Sequence, residues 1–468
     1  MGFSRLTLIL VLVSLPAIWA HEIRPATISV DGIRAIAETD DHYVCATMDW
    51  FPSDTCRFND CMMGNTSAIN LDLSNPLLAK TIRAFGHLRL RIGGSPEDQV
   101  IYNVGNPRYP CHPFKRGGKG SLFGLTTGCL YMWRWDELNQ FFSKTGAIVT
   151  FGLNALYGRQ KQGKSTLWVG NWDPSNVAAL INYTISKGYK IDSWEFGNEL
   201  SGSGIGARVE AVQYAKDLIN LEKIINGLYR NSNFKAKLAA PGGFFDKNWY
   251  TKLLQVSGSG IVNRVTYHLY NLGAGNDPNL ISRILDPSYL TNSASGTFRD
   301  IERVIQEHAP WASVWVGESG GAYGGGGRGV SDRFVNSFWY LDQLGMAAKF
   351  STKAGITLLL INLSIQTEIE TKVLKHVNNN LRAKEKSVQK ESCSIEVKVS
   401  ETGKSASDKQ SFREEYHLTP KDGQLQTQTS LLNGNPLNVT DGELPRLDPS
   451  LVPLCSLYAL PPCPLPSL

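Results

Sequence analysis

Ser193-Trp194-Glu195-Phe196-Gly197-Asn198-Glu199-Leu200 and Val314-Trp315-Val316-Gly317-Glu318-Ser319-Gly320-Gly321 decide how this chain reads. Each run is apolar or aromatic, of strand type, ends on a carboxylate and passes into small turn-forming residues. Working outward, strand-like runs at 46–51, 87–93, 147–154, 192–198, 237–241, 264–271 and 313–318 alternate with helical patterns at 76–85, 135–144, 174–186, 208–229, 247–254, 297–308 and 332–349. Continuous apolar strands separated by helices predict an α/β fold whose parallel sheet is covered on both faces. Seven such units point to a (β/α)8 TIM barrel rather than a doubly wound sheet. No Gly-x-Gly-x-x-Gly follows the first strand, which counts against a dinucleotide fold.

An eight-fold barrel needs one more βα unit after the helix ending near Lys349. Instead Ser351-Thr352-Lys353 runs into Ala354-Gly355 and the apolar stretch 356–363, and the pattern is strand-like from there on. The expected organisation is therefore a leader at 1–20, strands at 21–40 (the run 26–37 above all) pairing with a C-terminal β-sandwich, and a catalytic barrel at 41–353 that lacks its eighth βα unit. A partial sandwich follows at 354–443, with turns at Pro420–Gly423 and Asn433-Gly434-Asn435 and a mobile loop at 375–409. A Pro-rich tail at 444–468 is expected to be without regular structure.

At 468 residues, 42% hydrophobic and 19% charged, the composition is that of an ordinary globular protein and excludes global disorder. A net charge of +5 gives no case for nucleic acid, although it suits an acidic polymer modestly. Arg5, the apolar run 6–15 and the small residues Ala17 and Ala20 read as a secretory signal. That run is too short for a transmembrane span, and no later one is longer than a strand. Eight cysteines in a secreted chain permit disulfides of unassigned pairing. A zinc site at Cys56 and Cys61 lacks a second ligand pair at finger spacing. Sequons at Asn65, Asn182, Asn362 and Asn438 agree with a glycosylated route.

In a barrel, catalytic groups sit where strands end. Glu199 ends the fourth strand and Glu318 the seventh, which suits the two carboxyl groups of glycosidic bond cleavage, a general acid/base and a nucleophile. A strand-end Glu taken alone is more often one half of a salt bridge. Two Gly-flanked carboxylates ending strands of one sheet reverse that balance. Glu195 lies mid-strand, where a buried structural pair is the better reading. Asn198 supplies an amide for a sugar hydroxyl. Asp49 with Trp50 could bind a hydroxyl and stack on a ring, or form a structural turn. His268 could orient the nucleophile, or be a satisfied core histidine. The glycines 324–327 resemble a phosphate cradle but lack the Lys-Ser/Thr and the helix start, so backbone N–H groups holding a substrate carboxylate fit better. Nothing in the chain calls for a metal or a cofactor.

The motifs Trp194–Glu199, Val316–Ser319, Arg91-Ile92-Gly93-Gly94-Ser95 and Val265-Thr266-Tyr267-His268 together resemble the heparanase-like β-glucuronidases of glycoside hydrolase family 79, especially the plant members. The resemblance runs over about 23–353 and 355–437. It implies a (β/α)8 barrel with a β-sandwich and retaining hydrolysis of β-linked glucuronic acid in glycans or proteoglycans. By position, Glu199 resembles the acid/base, Glu318 the nucleophile and Asn198 the partner of the sugar 2-hydroxyl. Tyr270 and Tyr323, with Gly324 and Gly325, resemble residues lining the glucuronate pocket. The expected product is a monomer, secreted to the cell wall or held in a lysosome or vacuole, or peripheral on a membrane. A truncated, non-catalytic or glycan-binding isoform is the alternative, and a hydrolase of another sugar, such as an arabinofuranosidase, is a third reading.

Overall fold

A computed structural model describes residues 22–30, 39–56, 61–349, 367–375, 412–453 and 458–460. Seven parallel strands form one sheet in chain order: β1 (Cys45–Met48), β2 (Arg89–Ile92), β3 (Ile148–Leu153), β4 (Ser193–Phe196), β5 (Lys237–Phe244), β6 (Arg264–Leu269) and β7 (Ser313–Ser319). Helices α1 (Pro76–Ala84), α2 (Met132–Thr145), α3 (Ser175–Ser186), α4 (Ala211–Leu228), α5 (Lys247–Ser257), α6 (Pro287–His308) and α7 (Asn336–Lys349) follow the strands in turn. This is a nearly closed barrel of the expected βα alternation. Among the described residues, no strand lies between β7 and β1.

The strands show a simple division of labour. Outward side chains such as Phe151, Trp194, Phe196 and Leu238 join Trp135, Leu138, Leu180, Ile181 and Leu218 from the helices in one buried apolar core. Inward side chains are mostly polar, Trp315 being an exception. At the base of the barrel the guanidinium groups of Arg89 and Arg264 both bind Asp192 and lie 4.4 and 4.0 Å over the ring of Trp315. The middle layer holds Arg91 and Glu195. The top layer holds the residues of the candidate site.

Two bulges set that top layer. On β7 the register passes from Tyr267↔Val316 to His268↔Glu318, so Gly317 is the extra residue. Trp315 and Glu318 are an odd number of residues apart, and only the bulge lets both face inward. On β5 the register slips between Ala240 and Gly243, and Phe244 comes level with His268. The strand is thus three residues longer than its sequence reading, with Pro241 and Gly242 together opposite the single residue Thr266.

Outside the barrel, Glu22–Val30 pairs in parallel with Thr367–Lys375, which also pairs with Tyr458–Leu460. Leu418–Pro420 and Ser430–Leu432 form a small antiparallel sheet with Asn435–Pro436, and Asn433 and Gly434 make the turn with φ of 50° and 82°. The tail is not without regular structure as expected: Ser450–Pro453 pairs with Phe412–Glu415. Its proline ends the strand, where a missing donor costs little. The leader, the run 356–363, the loop at 375–409 and Asn362 lie outside the described residues or almost wholly so. No described helix is long and apolar enough to cross a membrane.

Candidate active site

Glu199 follows β4 with φ of 55°, a left-handed conformation uncommon for a side chain with a Cβ. Its backbone is fixed on both sides: its N–H donates to Gly242 O at 2.7 Å, and its carbonyl accepts from Ile205 N at 3.1 Å. The side chain is buried, with Oε1 3.0 Å from His268 Nδ1. Glu318, at the end of β7, accepts from Arg91 Nη1 at 2.9 Å and from the Tyr270 hydroxyl at 2.7 Å. One carboxyl oxygen from each glutamate and a ring nitrogen of His268 lie within 4.8 Å of one another. Such a trio could chelate a cation, but both oxygens of Glu318 already accept donors, and the guanidinium beside them opposes a second positive charge.

The electrostatics fix the charge of Glu318. Burial pushes Glu318 up, but the charges of His268 and Arg91 and the Tyr270 hydrogen bond outweigh it and hold its pKa below the usual value. Burial, then the charge of Glu318, raises the Tyr270 hydroxyl. Asp49 is driven up to about 7, mainly by burial and then by Glu318, against one hydrogen bond from Trp50 N. A Cβ on Gly94 would stand 2.1 Å from Asp49 Oδ1, so this glycine gives the Asp49 carboxyl its room.

Arg91 is the hub. Its guanidinium binds Glu195 through Nε, Glu318 through Nη1 and Asn198 Oδ1 through Nη2 at 2.9 Å. Burial opposes its charge, but Glu195, Glu318 and Glu97 outweigh that and keep it charged. Asn198 Nδ2 is buried without a protein partner, so its two donor hydrogens are free for a ligand. Asn198 N donates to Asp98 at 2.9 Å, as does Ala155 N at 2.7 Å. Glu97 is fully buried with neither carboxyl oxygen hydrogen-bonded, and burial raises it far above its ordinary value.

The structure therefore gathers Glu199, Glu318, Asn198, Asp49, His268 and Tyr270 at one mouth of the barrel. His268 is nearer Glu199 than Glu318, to which it stands at 3.8 Å. Trp50 is a correction: it is fully buried with its ring 5.7 Å from that of Phe151, so it belongs to the apolar core and offers no face for stacking. Tyr323 is half-exposed on the loop after β7, followed by Gly324, Gly325 and Gly326, all at positive φ. That loop is tied to the one after β6 through Gly275 N to Tyr323 O at 2.9 Å. Arg91, Glu97 and Asp98 were not singled out from sequence as site residues. Their signal was there: Arg89 and Arg91 alternate in an otherwise apolar strand, and arginines two apart on a barrel strand share its interior. Cys56 bonds Cys61 and Cys111 bonds Cys129, which removes the zinc reading. Asn65, Asn182 and Asn438 are exposed.

Residues 25–345 match the model of the glycosyl hydrolase family 79 N-terminal domain. The chain is 48% identical to "Heparanase-like protein 1" of Arabidopsis thaliana, over 92% of this chain and 91% of that protein. "Heparanase-like protein 2" of the same plant is 46% identical, over 96% and 94%. "Baicalin-beta-D-glucuronidase" of Scutellaria baicalensis is 32% identical, over 88% and 86%. The first alignment spans 496 positions but takes in only 92% of this 468-residue chain, about 431 residues, so about 65 positions of the relative have no counterpart here.

Proposed function

The chain belongs to glycosyl hydrolase family 79, and from that premise we propose that it is a retaining β-glucuronidase with Glu318 as nucleophile and Glu199 as acid/base. The observation that carries this reading is the approach of the two carboxyl groups to within 4.8 Å, each in a different environment. Retention needs carboxyl groups about 5–5.5 Å apart, whereas inversion needs about 6.5–9.5 Å to admit a water. Glu318, kept ionised by Arg91 and Tyr270, attacks the anomeric carbon. Glu199 gives its proton to the leaving oxygen as that bond breaks. It then takes a proton from a water whose oxygen displaces Glu318, freeing the sugar and restoring both groups. Asn198 Nδ2 and Asp49 meet sugar hydroxyls, and the Tyr323 loop offers backbone N–H groups to the sugar carboxylate. The glucuronidase among the relatives supports that choice of sugar.

We infer a secreted, glycosylated and monomeric protein acting on glucuronate-containing glycans or glycosides, without metal or cofactor. The test is turnover of a chromogenic β-glucuronide by the full chain. Glu318→Gln and Glu199→Gln are each expected to lower kcat by roughly 10²–10⁴-fold. Activity that survived both substitutions would sink the assignment. The second reading, a non-catalytic glycan-binding product, is favoured by one observation, the half-exposed strand that carries Glu318. A wild-type chain that melts cooperatively, binds a glucuronoside and turns over none would establish it.

A further inference from the structure

Phe244 ends β5 and is 36% exposed, although the strand before it is buried from Leu238 to Gly243. The bulge between Ala240 and Gly243 sets it level with His268 in the sheet. Its ring leans on two site residues, 6.2 Å and 72° from His268 and 6.3 Å and 47° from Tyr270. The backbone beneath it is pinned. Phe244 O accepts from Ser201 Oγ at 2.9 Å, and Gly243 O from the Tyr250 hydroxyl at 2.8 Å. An exposed phenyl ring held this firmly inside a mouth lined by carboxylates and amides stabilises nothing by its outward face. That face gains the free energy of burial only when a ligand covers it.

Position says which part of the ligand. Asn198, which accepts from Arg91, and Asp49, which lies against Gly94 just beyond Arg91 in the chain, stand on the Arg91 side. Phe244 stands on the other side, next to the histidine that touches Glu199. The leaving group departs where Glu199 delivers its proton. Of the two rings against Phe244, Tyr270 has its hydroxyl committed to Glu318 and His268 its Nδ1 to Glu199, while His268 Nε2 is buried without a protein partner. What this wall offers is a flat apolar face. We propose that Phe244 is the aglycone platform and selects β-glucuronides whose leaving group is an aromatic ring. The inference rests on the β-glucuronidase reading for the orientation of the sugar.

Binding tests it without turnover. Phenyl and methyl 1-thio-β-D-glucuronosides carry sulfur in place of the scissile oxygen and resist cleavage, and titration calorimetry of the full chain gives a Kd for each. The phenyl compound is expected to bind about five- to tenfold more tightly than the methyl one. Phe244→Ala brings that ratio close to one, while Phe244→Trp, which keeps a flat ring, maintains it. Phe244→Leu replaces the alanine variant if a thermal melt shows the latter unfolded. A wild-type ratio near one, a ratio that survives Phe244→Ala, or failure of both compounds to bind overturns the proposal. Loss of turnover with the ratio intact would instead strike at the catalytic reading alone.

Discussion

Strands β2 to β6 are buried along nearly their whole length, whereas β7 is at best half-buried throughout and three of the four residues of β1 are exposed. The two stretches of wall use the same kind of residue in the same parallel ladder. They differ in what lies on either side. Each of the buried five has a strand on both edges, while β7 and β1 have one described neighbour apiece. The candidate site straddles this difference, with Glu199 on the continuous wall and Glu318 and Asp49 on the seam. Among the described residues, what spans from β7 back to the β1–β2 side is not a backbone ladder but the interior. Arg91 reaches from β2 to Glu195 on β4 and Glu318 on β7, and Trp315 on β7 lies under guanidinium groups from β2 and β6. Polar side chains across the lumen brace a seam that no backbone ladder between described strands closes.

The largest test removes the brace. Arg91→Gln leaves Glu195 and Glu318 buried near one another without their cation. Breaking a buried pair of this sort costs about 3–5 kcal/mol. Activity should fall at least about 100-fold because Glu318 loses a donor that holds it ionised. The thermal midpoint should drop by about 3–5 °C. An unchanged midpoint would mean that the seam is held by something other than the lumen.

Hydrogen exchange compares the walls directly. Backbone amides exchange through local opening, and openings cost less where one edge of a strand has no partner. Amides of 45–48 and 313–319 should exchange roughly 100-fold faster than those of 148–153 and 264–269. Equal protection would show the barrel to be as cooperative at its seam as elsewhere.

A pH series separates the two sides through their buried acids. Asp49 on the seam and Asp98 on the continuous wall are both raised from 3.8 to about 7, by burial above all. Each is protonated in the folded protein up to about pH 7 but ionises near 4 once unfolded. The folded state therefore binds the extra proton, and its stability falls as pH rises from about 4 to about 7 and is flat above. Glu318 has the opposite sign. Its pKa is depressed, so its contribution is complete above the ordinary carboxyl range and is lost on acidification through its folded value. Stability should be greater at pH 5 than at pH 8 by an amount on the order of 5 kcal/mol, read as a higher melting midpoint at pH 5. Asp49→Asn and Asp98→Asn should each flatten the slope. If only the Asp98 variant does so, the seam acid is already hydrated and ionised.

Most of the barrel was legible because burial on both faces leaves runs too apolar to be anything but strands, and all seven were placed. The beginning of α6 was not, because Thr291 to Gly296 reads as loop chemistry. The helix nevertheless starts at Pro287 with Asp286 accepting from Ser288 and Tyr289 N–H groups, since Leu290, Ala294 and Phe298 share a buried face. Glu199, Glu318 and Asn198 could be named because a strand end followed by glycine is a local signal. Phe244 could not, because its place depends on a bulge, and a bulge is a register between two strands that neither strand encodes alone. Trp50 failed for the opposite reason. Next to a site acid in sequence, it points the other way in a strand-end geometry, into the packing between sheet and helices.

The smallest effect probes the one described hydrogen bond that links the approach to β1 with α7. The Tyr43 hydroxyl donates to Leu344 O at 2.6 Å, tying the segment before β1 to the helix that follows β7. Tyr250 makes the analogous link on the continuous wall, where its buried hydroxyl sits 2.8 Å from Gly243 O and 3.0 Å from Thr266 O. Replacing each by phenylalanine deletes only an oxygen. At Tyr43 the freed carbonyl is within reach of water, so the cost is the net worth of one hydrogen bond, about 1 kcal/mol. At Tyr250 the single O–H proton shared by two carbonyls is lost in a dry core, and the cost should be about 1–3 kcal/mol. Yet exchange should respond the other way round. Tyr43→Phe should speed the amides of 45–48 severalfold, while Tyr250→Phe leaves relative protection among strands β3 to β6 unchanged, because the seam opens locally and the wall opens only as a whole. If Tyr43→Phe leaves the 45–48 amides as they were, α7 is not what holds that edge.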